Sequence, residues 1–146
     1  MNSTKWDNRF LVLAKLIGSW SKDPSTKVGA VIVDEDNKIV SLGYNGFPKK
    51  ISDNDRLNHR ETKYNIVVHA EMNALAFANK SVKGCTLYTY PFEPCPRCAC
   101  SIIQYGIKRV VSVINTDERW EDQFKLSREL FKEAGVQQKI YSQILE

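Results

Sequence analysis

The stretch Thr86-Leu87-Tyr88-Thr89-Tyr90-Pro91-Phe92-Glu93-Pro94-Cys95-Pro96-Arg97-Cys98-Ala99-Cys100, continuing through Gly106 to Val110-Val111-Ser112-Val113-Ile114, sets the architecture of the chain. Thr86 to Tyr90 is rich in β-branched and aromatic residues and reads as a strand. Pro96 suits the first turn of a helix running to about Tyr105, with Gly106 closing it. Val110 to Ile114 reads as a buried strand. A strand, a helix and a second strand in succession imply a parallel pairing with the helix on one face of the sheet.

The same pattern extends in both directions. Upstream, Thr4-x-x-Asp7 resembles a capping box, and Phe10, Leu13, Ala14 and Ile17 follow helical spacing until Asp23-Pro24. Val28 to Val33 and Ile39 to Tyr44 flank the turn Asp34-Glu35-Asp36-Asn37-Lys38, which predicts an antiparallel hairpin. Gly46 to Val67 is a long polar segment, read as a functional loop with room for a short helix. His69 to Asn79 is alanine-rich and helical. Downstream, Glu121 to Ala134 predicts a helix with Leu126, Leu130, Phe131 and Ala134 as its apolar stripe and Gly135 as its cap, followed by a strand at Lys139 to Tyr141. The order α-β-β-α-β-α-β-α-β places the chain in the α/β class, with helices over a mixed five-stranded sheet.

The 146 residues fit one domain, 1–146. The apolar runs are too short to cross a bilayer, and Met1 to Asp7 lacks the apolar stretch of a secretory signal, so a soluble cytoplasmic protein is expected. Three of the four cysteines, Cys95, Cys98 and Cys100, crowd within six positions, which suits a metal better than a disulfide framework. The net charge of +4 fits either a small anionic ligand such as a phosphate or a plain mixed solvated surface, and it is too small and too scattered for a nucleic-acid surface.

Two motifs carry the chemistry. His69 with Cys95 and Cys98 supplies three zinc ligands, and three protein ligands leave a position open for water, as catalytic zinc requires. Cys95 and Cys98 are three apart at a helix N-terminus, where the macrodipole favours thiolates. Zinc lowers the pKa of such a water from about 15.7 to about 7. Glu71 would carry the proton. On a regular helix His69 and Glu71 would face apart, so the helix is expected to begin at about His69. A closed structural site would need a fourth ligand, for which Cys100 and the remote His59 are the candidates. Otherwise Cys100 and Cys85 read as small buried side chains.

Gly43-Tyr44-Asn45-Gly46 permits a sharp turn and close backbone approach, with Asn45 placed either to bond a sugar or base or simply to make the turn. Lys22, Lys27, Arg60 and Lys63 are candidates for phosphate or for plain surface charge. Trp120 and Phe124 could stack on a base or pack their helix.

The order H-x-E then P-C-x-x-C is that of zinc-dependent base deaminases. From about Lys5 to Gly135 the chain resembles the deoxycytidylate (dCMP) deaminases of the cytidine deaminase superfamily. The resemblance runs through Ser21-Lys22-Asp23-Pro24-Ser25-Thr26-Lys27-Val28-Gly29-Ala30, Gly43 to Gly46, Arg60 to Tyr64, His69 to Ala74, Pro94 to Ala99 and Ile102 to Ile107. It implies a three-layer α/β/α sandwich and conversion of dCMP to dUMP and ammonia, feeding thymidylate synthesis. It also implies one zinc per chain on His69, Cys95 and Cys98, with Glu71 as proton shuttle. Asn45, Ala70 and Lys22 would lie on the substrate. The same resemblance implies a homo-oligomer, commonly a hexamer, with dCTP activating and dTTP inhibiting, and it places Lys80 near a regulatory arginine of some relatives. Two other functions fit the same residues: a deaminase acting within nucleic acid, such as a tRNA adenosine deaminase, and a catalytically inactive nucleotide-binding module.

Overall fold

The computed structural model describes residues 4–146, so the reading of the chain start at Met1 to Ser3 lies outside the described residues. One sheet organises the chain. Strands β1 (Gly29–Val33), β2 (Ile39–Tyr44), β3 (Thr86–Tyr90), β4 (Arg109–Val113) and β5 (Gln137–Tyr141) stand in the order β2-β1-β3-β4-β5. β1 is antiparallel to both β2 and β3, while β3, β4 and β5 run parallel. The sheet is therefore mixed, with a second antiparallel junction beyond the predicted hairpin.

Helix α1 (Thr4–Gly18) covers one face; α3 (Ala70–Phe77), α4 (Pro96–Gln104) and α5 (Glu121–Ala134) cover the other. Alternation along the strands explains both layers. Val31 and Val33 of β1 join Tyr88, Val111 and Val113 under Phe10, Leu11 and Ala14 of α1. Ala30 and Ile32 point the other way, with Leu87 and Val110, and meet Ala74, Leu75, Ala99, Ile102 and Phe131. β1 is buried along its whole length, as a strand covered on both faces must be.

Three expectations change. The first helix ends at Gly18 rather than at Asp23-Pro24, because α1 then abuts β1: a Cβ on Gly29 would sit 1.8 Å from the Ala14 carbonyl oxygen. Asp7 makes no capping box; its carboxylate is wholly buried and bonds Tyr88, Arg109 and Tyr141. On α5 the buried stripe is Phe124, Ser127 and Phe131, whereas Leu126 is 46% exposed and Ala134 is also exposed. The segment Gly46 to Val67 does contain helix, as its length allowed. It holds a one-turn 3-10 helix (Asp55–Asn58) and helix α2 (Arg60–Ile66), and it is closed at its base by a bridge between Gly46 and Val68.

Candidate metal centre and cavity

Two helix N-termini meet where the strands end. β1 is antiparallel to its neighbours, so Gly29 at its start pairs with Tyr44 at the end of β2 and Tyr90 at the end of β3. The chain leaving β3 carries the Pro94–Cys98 loop into α4, and α3 packs directly on β2. Gly43 makes that contact possible: a Cβ there would lie 2.4 Å from the Ala70 carbonyl oxygen and 2.5 Å from the Ala74 nitrogen.

His69 is the extended residue just before α3, and Cys95 holds the same place before α4. Their carbonyls accept the first helical bonds, from Asn73 and Ala99. Because His69 stands outside the helix and Glu71 inside its first turn, the two side chains reach one space, as the sequence spacing required. His69 Nδ1 lies 3.2 Å from Cys98 Sγ and 3.5 Å from Cys95 Sγ. The three ligand atoms all fall within 4.8 Å of one another. Zn–N of about 2.0–2.1 Å and Zn–S of about 2.3 Å at tetrahedral angles require N···S separations of about 3.6 Å. The donor set therefore fits zinc in both chemistry and spacing. Neither proposed fourth ligand joins it: His59 pairs with Asp55 at 2.7 Å in the 3-10 turn, and Cys100 is exposed rather than buried, while Cys85 is buried as read.

The thiols share a proton unequally. The Cys98 sulfhydryl donates to Cys95 and so holds the Cys95 thiol down at about 4. The same bond, with burial, pushes Cys98 up. A metal ion replaces such protons on binding. Glu71 is 4% exposed, and burial pushes its carboxyl up to about 6, against the pull of His69. A carboxyl near neutrality can both take and return a proton.

His69, Glu71 and Cys95 line a cavity of about 490 Å³. Phe92, Trp120 and Phe124 form an aromatic wall, with the rings of Phe92 and Phe124 5.5 Å apart. A polar part of the lining comes from the 21–26 loop, Asn45 and α2. There Lys63, 4% exposed, bonds Asp23 at 3.1 Å and Ser25 Oγ at 3.1 Å. Asn45 belongs to the same part with its amide engaged: Oδ1 accepts from the Val28 nitrogen at 2.9 Å, and Nδ2 donates to the Thr26 carbonyl at 2.9 Å.

Of the residues singled out in the sequence, His69, Ala70, Glu71, Cys95, Asn45, Lys63, Trp120 and Phe124 line one cavity, and Cys98 lies buried beside it in the donor group. Lys22 stands outside that lining, its ammonium mostly exposed and 3.4 Å from Asp53. Lys27 donates to the carbonyls of Ser21 and Asp23, and Arg60 turns to Tyr64. Sequence reasoning missed Asp23, Ser25, Gln123 and Arg97 as lining residues. Arg97 stood inside the cysteine motif itself.

The comparisons with known proteins agree with this geometry. A deaminase from the luxG 3′ region of Aliivibrio fischeri is 46% identical over 137 residues, covering 92% of each chain. The deoxycytidylate deaminase of Mus musculus is 44% identical over 142 residues, covering 90% of this chain and 77% of that one. The structure of dCMP deaminase from the cyanophage S-TIM5 in complex with dCMP and dUMP superposes with a TM-score of 0.73 at 26% identity, over 96% of this chain and 99% of that one. The family model for the cytidine and deoxycytidylate deaminase zinc-binding region matches residues 4–114, spanning both metal-ligand motifs and every strand but the last, and the chain belongs to that family.

Proposed function

We propose that the protein hydrolyses dCMP to dUMP and ammonia as a zinc-dependent deaminase supplying dUMP for thymidylate synthesis, in one domain spanning residues 1–146. The observation that carries this is the buried Glu71 carboxyl beside the His69, Cys95 and Cys98 donor set, inside a cavity of nucleotide size.

His69, Cys95 and Cys98 hold one zinc per chain. Zinc held there supplies a water acidic enough to act as a nucleophile near neutral pH. Glu71 takes the proton released as water adds to the amine-bearing carbon and passes it to the adjacent ring nitrogen. Glu71 then carries the proton of the added hydroxyl to the amine, the C–N bond breaks, ammonia leaves and the carbonyl of dUMP remains. The Phe92, Trp120 and Phe124 wall shields the base from bulk water. Ala70, at the start of α3, lies against the base, and Asn45, fixed by its amide bonds, borders the sugar.

By family resemblance the enzyme is a cytoplasmic homo-oligomer, a hexamer, activated by dCTP and inhibited by dTTP. Exposed Trp20 and Tyr44, packed edge to face at 6.3 Å, support a partner-covered surface there. No helix among the described residues is long and apolar enough to cross a membrane.

Ammonia release by the zinc-loaded protein is the test, with dCMP, CMP, dCTP, deoxycytidine and a tRNA anticodon stem-loop side by side. Turnover of dCMP is expected, and Glu71→Gln should retain zinc while losing about 10²–10⁴-fold in kcat. Activity on the RNA alone would assign the protein to nucleic acid. Binding of dCMP without ammonia release would make it a sensing module.

A further inference from the structure

The chain has seven arginines, and six engage their guanidinium groups within the described residues. Arg9 lies over Trp6, Arg56 bonds Asn54, Arg60 bonds Tyr64, Arg109 bonds Asp7, Arg119 bonds Asp117, and Arg128 bonds Glu93. Arg97 has no hydrogen bond, ion pair or ring contact among the described residues. It is exposed, lies between the two cysteine ligands on the first turn of α4, and lines the cavity.

The other cation on the lining is not equivalent. Lys63 is buried against Asp23 at 3.1 Å, so an anion approaching its ammonium also approaches that carboxylate. Two of its three protons are already directed, one to Asp23 and one to Ser25. A phosphomonoester brings nearly two negative charges and three acceptor oxygens. The planar guanidinium fork matches two of those oxygens at once, which an ammonium cannot do.

We infer that Arg97 is the residue that recognises the substrate's phosphate and so selects a nucleoside monophosphate over the free nucleoside. The inference rests on the proposed reading of the cavity as a nucleotide site. It places phosphate recognition at the rim beside the metal ligands rather than at Lys22, Lys27, Arg60 or Lys63, the candidates offered by the sequence.

Calorimetric titration of the zinc-loaded protein with dUMP and with deoxyuridine tests this whether or not the protein turns over dCMP. Arg97→Ala should weaken dUMP about 10–100-fold, the range for a charge-assisted bond, while deoxyuridine shifts several-fold less. Arg97→Lys should restore part of the dUMP affinity. In turnover, the loss should appear in KM for dCMP more than in kcat. Zinc content, measured on each variant, should stay at one per chain. Equal losses for the two ligands, an unchanged dUMP affinity, or a loss confined to kcat would each overturn the assignment. So would Lys22→Ala abolishing the preference for dUMP while Arg97→Ala keeps it.

Discussion

Replacing Asp7 by asparagine removes the charge from a buried carboxylate that accepts four side-chain hydrogen bonds. Asp7 Oδ1 accepts from Arg109 Nη1 at 2.8 Å and from the Tyr88 hydroxyl at 2.7 Å. Its Oδ2 accepts from Arg109 Nη2 at 2.7 Å and from the Tyr141 hydroxyl at 2.6 Å. The side chain is 1% exposed, and that of Arg109 is 14% exposed. Asparagine keeps the shape but leaves the guanidinium without a counter-charge, and Arg109 cannot release its proton. Breaking a buried pair from one side costs about 3–5 kcal/mol. An unfolding entropy of about 2.1 cal/mol/K per residue gives roughly 0.3 kcal/mol/K for a chain of this length, so Tm should fall by about 10–16 °C. Adding Arg109→Met removes the orphaned cation, and the double variant should lose less than the sum of its parts. The pH dependence carries a second signature. Burial pushes the Asp7 carboxyl up, and the bonds from Arg109, Tyr141 and Tyr88 more than offset it, leaving the folded value below the ordinary one. A depressed carboxyl stabilises above its unfolded pKa of about 3.9 and loses that contribution as pH falls through the lower folded value. Asparagine does not titrate. The Tm gap between wild type and Asp7→Asn should therefore be full at neutral pH and shrink below about pH 4. A gap under about 3 °C at pH 7, or one unchanged well into acid, would refute the reasoning.

Two glycines separate stability from site geometry. Gly29→Ala drives a methyl into the Ala14 carbonyl oxygen and should lower Tm sharply through α1, as thermal denaturation would read. Gly43→Ala pushes α3 off β2 at Ala70 and Ala74, so zinc affinity and kcat should fall together, by metal titration and rate. Cys95→Ser should lose the metal, whereas Cys100→Ser, on an exposed position, should retain it by elemental analysis. Chelation should lower Tm and restoring zinc should recover it, because a ligand bound only by the folded state stabilises that state.

The parts of the fold legible in the sequence are those set by local chain chemistry. Val28 to Val33, Thr86 to Tyr90 and Val110 to Ile114 announce strands because covered strands are continuous apolar or β-branched runs. What escaped was set by partners distant in sequence. Asp7 looks like a first-turn acid until Arg109 and Tyr141, over a hundred residues away, claim its carboxylate. Leu126 fits an apolar stripe on α5, but the sheet and Phe92 select the face through Phe124, Ser127 and Phe131. The end of α1 depends on Gly29, which shows its importance only when the helix backbone lies against it.

The candidate site divides along the same line. His69, Glu71, Cys95 and Cys98 sit on chain segments that turn from an extended residue directly into a helix, so a spacing of two or three residues already determines which atoms converge. Ligands of open α/β sheets gather beyond the carboxyl ends of the strands, and the ends of β2 and β3 open onto this cavity. The polar lining follows another rule. Asp23 and Lys63 are 40 residues apart, and the bonds from Lys63 to Asp23 and Ser25, each 3.1 Å, tie the 21–26 loop to α2. Local spacing could not reveal which lysine that pairing would neutralise, and so could not show that the unpaired cation of the cavity is the arginine between the cysteines. The metal donors and Glu71 are thus encoded within short motifs, while the charges that the folded chain leaves without a partner, on which the proposed phosphate recognition rests, are set by distant pairings.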